Sequence, residues 1–85
     1  MTVEVYDFMI EIKERLQAQI AKTSVTVEPH DNKSVKITME WWTGPRYGIQ
    51  RIVSVKEILQ RNGDIIEYYV ALFEHLKAEA MATER

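Results

Sequence analysis

Chemistry in this 85-residue chain, which has no cysteine, must come from histidines, serines, carboxylates or clusters of aromatic and basic residues. His30 is followed by Asp31, and His75 stands four residues before Glu79, a helical spacing that puts both on one face. A zinc centre needs three or four ligands and nothing adjacent supplies the rest, so no metal site is expected. Asp64 and Glu67 could pair as acid and base, but at the start of an apolar-periodic segment they read as carboxylates favouring a helix N-terminus. Ser24, Ser34 and Ser54 lack the glycine-flanked elbow that exposes a nucleophile. Gly44, Gly48 and Gly63 form no phosphate-cradling loop. The expectation is a protein without catalytic residues or cofactor.

One stretch concentrates a different chemistry. Residues 40–51, EWWTGPRYGIQR, hold both tryptophans, one of the two prolines and two of the five arginines. Trp, Tyr and Arg are the types in which binding hot spots are enriched. Alternation along a strand puts Trp41 on the side of Val35, Ile37 and Met39, and Trp42 on the side of Lys36, Thr38 and Glu40. Trp41 is therefore expected in the core. Trp42 is expected on the outer face as a protein-binding residue, with Arg46, Tyr47 and Arg51 as candidate companions across the turn; the alternative is a helix covering Trp42 from the second side.

The elements that position this stretch can be read from periodicity. In residues 3–22, Val5, Met9, Ile12, Leu16 and Ile20 recur at helical steps, with Tyr6, Ile10 and Lys13 beside them and Thr2 as the N-cap. A helix apolar on more than one side is buried on more than one side, which motivates self-association. Val25 and Val27, then Val35, Ile37, Met39 and Trp41, alternate as two strands, with the turn formers of residues 29–33 between them. Thr43-Gly44-Pro45-Arg46 is a second turn. The third strand carries Tyr47, Ile49 and Val53, but Arg51 falls on their face and Ile52 on the other, so either a bulge lies near Gln50 or the strand ends about Ser54. Ser54 to Glu57 reads as a capping box opening a short helix with Val55, Ile58 and Leu59 inward. Asn62-Gly63 stops it, and Ile65, Tyr69, Leu72, Phe73 and Leu76 define a long final helix; a hairpin over Ile65–Val70 is the competing reading. Residues 81–85 should fray.

The predicted order, α-β-β-β-α-α, implies a single two-layer α+β domain over residues 1–80 with helices on one face of a meander. At this size folding buries only about 60% of the unfolded surface, so help from a partner subunit is expected, as a homodimer or within a larger protein assembly. The absence of cysteine, of any apolar run near the roughly 20 residues of a membrane span, and of a basic N-terminus point to the cytoplasm and away from membranes.

Net charge is −2, but residues 33–61 carry Lys33, Lys36, Arg46, Arg51, Lys56 and Arg61 against Glu40 and Glu57. A helix, three strands and a helix, with Pro29-His30 in the first hairpin turn, resembles the double-stranded RNA-binding domain. The resemblance implies nucleic-acid contacts from His30, Lys33, Lys36 and Lys56 as the alternative function. That family opens its second helix with a lysine cluster, where this chain has Lys56 beside Glu57. A helix-turn-helix across Gly63 would aim Asp64 and Glu67 at phosphates. Little nucleic-acid affinity at physiological salt is therefore expected. The first helix feeding a Val25-Thr26-Val27 strand is similar to small tail-completion proteins among the accessory and assembly proteins of bacteriophages, over about a third of the chain. The favoured expectation is a non-enzymatic protein-interaction or assembly module acting through the second hairpin and self-association.

Overall fold

The computed structural model describes residues 2–42, 44–60 and 64–83. Helix α1 (Val3–Gln19) starts after Thr2, whose extended backbone takes the N-cap place. Its carbonyl accepts from Val5 and Tyr6 N–H at 3.2 Å, while its side chain makes no cap bond. The buried stripe of α1 is Val5, Phe8, Ile12 and Leu16. Met9, expected inside, is only half-buried, because Phe8 takes the more central position. Lys22 at φ 60° turns the chain out of the helix, and Thr23 Oγ1 donates to Ile20 O at 2.8 Å.

Strands β1 (Ser24–Asp31), β2 (Ser34–Trp42) and β3 (Arg46–Ser54) form an antiparallel sheet in that order. The first turn is tighter than predicted: Pro29 and His30 belong to β1, and only Asn32 and Lys33 connect it to β2. Proline is tolerated there because β1 is an edge strand, and the register shifts between Pro29 and Asp31. Pro29-His30 therefore does not occupy a hairpin turn, which removes the local part of the likeness to the double-stranded RNA-binding domain. Asp31 Oδ1 closes the turn by accepting from Lys33 N–H at 2.7 Å and Ser34 Oγ at 2.9 Å. At the second reversal Gly44 adopts φ +99°, where a side chain would be strained. β2 and β3 then pair without interruption from Trp42↔Arg46 to Ser34↔Ser54. No bulge lies near Gln50; the strand ends at Ser54.

Helix α2 (Val55–Gln60) is anchored at its start, where Ser54 Oγ accepts from Glu57 N–H at 3.0 Å and Val55 N–H donates to Lys33 O at 2.8 Å. Glu57 also accepts from Tyr69 Oη at 3.3 Å, tying α2 to the last helix. Ile58 is buried and Val55 half-buried, but Leu59 is exposed, since one short turn of helix has a single face to offer the core. The Asn62-Gly63 stop lies outside the described residues. Helix α3 (Asp64–Thr83) excludes the hairpin alternative. It buries Ile66 and Val70 as well as Ile65, Tyr69 and Phe73, a wider arc than predicted, because it meets α1 on one side and β3 on another.

All three helices cover one face of the sheet. Val25, Val35, Ile37, Met39, Trp41 and Val53 from that face join the helix stripes in one core. Arg15 of α1 pairs with Glu67 near the start of α3, and Lys77 of α3 donates to Ala21 O just beyond α1, so the two helices run in the same direction. The molecule extends 42 × 22 × 19 Å with a radius of gyration of 13.1 Å, above the ~12 Å expected of a chain this long. An elongated two-layer body leaves much of its sheet in solvent.

Candidate protein-binding surface

A reversal centred on Gly44 puts Trp42 opposite Arg46 and Trp41 opposite Tyr47. Directly opposed residues share a face, so the dipeptide is divided between the two sides of the sheet. Trp41 is 2% exposed, stacked on Tyr47 with ring centroids 5.8 Å apart, and the Lys77 ammonium lies 5.9 Å from its ring centroid. Its indole N–H is buried with no acceptor among the described residues, so Trp41 contributes through area and stacking. Trp42 is 56% exposed, and among the described residues no helix covers it.

Around Trp42 the outer face is built by the ladder. The Arg46 guanidinium sits 5.4 Å from the Trp42 ring centroid, within cation–π range. Arg46 Nη2 also pairs with Glu40 Oε2 at 2.5 Å. Glu40 is opposite Gly48 and diagonal to Arg46, so its carboxylate leans across the strands to the guanidinium. The cluster thus presents an indole face, guanidinium donors and a carboxylate, held by contacts worth roughly 0.5–1 kcal/mol each at an exposed site.

The four candidate residues do not form one site. Trp42 and Arg46 are together on the outer face; Tyr47 is half-buried on the helix-covered face. Arg51 is also on that face, opposite Ile37, yet exposed, its side chain turning back to the edge of β3, where Nη1 donates to Gln50 O at 2.8 Å. Glu40, absent from the sequence-derived set, completes the cluster. Hairpin symmetry about Gly44 was the signal that could have found it.

The nucleic-acid candidates are divided as well. Lys33 and Lys56 border one open depression at the foot of the sheet, with Asn32, Ser54 and Leu59. Lys36 is on the outer face, paired with Glu28 at 3.4 Å, and His30 is exposed on β1. His75 pairs with Glu79 at 3.3 Å on the exposed side of α3. Among the described residues no three His, Asp or Glu side chains gather as metal ligands, and no helix is long and apolar enough to cross a membrane. A hollow of about 260 Å³ between α1 and the α2–α3 layer has Glu4, Asp7 and Glu11 at its rim over Phe8 and Ile58; it is smaller than the ~300–1,000 Å³ typical of ligand pockets. A second apolar feature is the strip Val3, Tyr6 and Ile10 on the outer side of α1, all exposed. No family model matches the chain, and neither the curated proteins nor the solved structures contain a significant match.

Proposed function

We propose that the protein is a non-enzymatic interaction or assembly module that binds another protein through the outer face of the β2–β3 hairpin. The observation that carries this reading is Trp42: a tryptophan 56% exposed, flanked by Arg46 and Glu40 on a solvent-facing sheet. Leaving a large ring in water forgoes the burial that the same residue type enjoys one position earlier, and a rigid aromatic beside an arginine supplies the anchor and rim of an interface. The nucleic-acid alternative has less support, because its four candidates fall on different surfaces and Lys36 is already paired.

Comparison of tagged wild type with Trp42→Ala as baits in extracts of the source cells tests this reading. At least one protein should be retained by wild type and lost with Trp42→Ala, as expected for a hot spot worth roughly 2 kcal/mol or more. The same set of proteins on both baits, with Trp42→Ala folded, would sink it.

A further inference from the structure

The two edges of the sheet are built differently. β1 carries Pro29 and a register shift between Pro29 and Asp31, both of which discourage a further strand. β3 has no proline and no register shift over Arg46–Ser54, and its charges there are Arg46 and Arg51. The direction of its free backbone groups can be read from the ladder. Val55 N–H bonds Lys33 O in the same register as the β2–β3 pairs, so odd-numbered residues turn their N–H and C=O towards β2. Even-numbered Gly48, Gln50 and Ile52 then turn theirs outward. Arg51 Nη1, which donates to the Gln50 carbonyl at 2.8 Å, agrees with that direction and is the bond that pairing with a further strand would displace.

Two residues on this edge have no use within the single chain. Gly48 sits inside a strand, where glycine is unfavourable, yet its φ is not in the left-handed region. A Cβ there would meet Glu40 Cγ at 3.7 Å and Met39 O at 3.9 Å, which is ordinary contact. Neither conformation nor crowding requires glycine. Ile52, on the same outer face, is 48% exposed. A strand glycine without a local reason marks a place where another chain comes close.

We propose that the free edge of β3 pairs antiparallel with β3 of a second copy, about a two-fold axis through Gln50. Gln50 is the midpoint of Arg46–Ser54, so this register uses the whole strand. It sets Ile52 of one copy opposite Gly48 of the other, twice, filling each glycine gap with an exposed isoleucine. On the helix side it sets Arg51 opposite Ile49 rather than opposite its own copy, and Tyr47 opposite Val53, extending cover over the half-buried rim of the core. All pairs opposed through the free groups are even-numbered, as the ladder demands.

The axis is perpendicular to the sheet, so the product is a six-stranded sheet with all helices on one face and both Trp42 clusters on the other, on the order of 30 Å apart by strand rise and spacing. This goes beyond binding through Trp42: it names the second copy as one partner and makes the platform bivalent.

Sedimentation equilibrium at tens of micromolar tests it. The expected mass is twice the chain's 10.0 kDa. Gly48→Val should raise the dimer dissociation constant by at least about tenfold while circular dichroism shows a folded chain, because valine favours strands. The chain has no cysteine of its own, so Gln50→Cys should form a disulfide-linked dimer under mild oxidation and Thr26→Cys, on the far strand, should not. A monomer mass for wild type, or a dimer indifferent to Gly48→Val and not linked through Gln50→Cys, would overturn the proposal. Trp42→Ala should leave the mass unchanged, which separates this result from the fate of the Trp42 reading.

Discussion

Trp41 and Trp42 are adjacent and chemically identical, yet one is 2% and the other 56% exposed. The difference comes from strand parity and from where the helices lie. Parity sends neighbouring side chains to opposite faces, and α1, α2 and α3 all cover the same one. On the inner face an aromatic is cemented by Tyr47, Lys77 and the core; on the outer face the same ring is met by the Arg46 guanidinium and stays 56% exposed. Two faces of one sheet thus carry scaffold and surface within a single dipeptide.

The strongest way to break this comparison is to remove both rings in turn. Trp41→Ala should cost ~3–5 kcal/mol, a large fraction of the stability of a domain expected to have about 0.05–0.15 kcal/mol per residue. Trp42→Ala should change stability by no more than ~0.5 kcal/mol. Urea unfolding of the two variants checks both, and equal losses would mean that Trp42 also belongs to the scaffold. Trp41→Phe sharpens the point: since the indole N–H has no acceptor among the described residues, the phenyl ring should retain the stacking and lose much less than alanine does.

A smaller effect tests whether outer-facing residues are always dispensable to the fold. Ser54 is exposed, but its hydroxyl caps α2, which belongs to the covered side. Ser54→Ala should cost ~1 kcal/mol by urea unfolding, with Thr and Asp at the same position restoring most of it. No loss would show that the Val55 to Lys33 backbone bond alone sets the start of the helix.

The smallest effect concerns pH. The Lys33 N–H, and after it the Ser34 hydroxyl, hold the exposed Asp31 carboxyl below the ordinary carboxylate range. Its folded pKa is depressed, so its contribution is present above the unfolded pKa and is lost as pH falls through the folded one. Asp31→Asn should flatten a small acid-side loss of stability, and nuclear magnetic resonance titration of the Asp31 carboxyl should give a midpoint below that of an unfolded aspartate.

Element order was legible because it depends on local period: α1, the three strands and α3 each repeat apolar residues at 3.6 or 2. Trp41 inside and Trp42 outside follow from the same parity. Local pattern failed where a residue's environment is set by distant chain. Whether Pro29 turns or extends depends on β1 being an edge, and whether Leu59 is inward depends on what α2 can reach. Nearness in sequence groups Tyr47 and Arg51 with Trp42, whereas the register places them on the other face. The partnership of Glu40 with Arg46 also appears only once strands are aligned. Period encodes which side of its own element a residue occupies, and that is written in one dimension. What lies against that side, how far the helices extend over β3, and which edge is left open arise from packing among segments far apart in sequence.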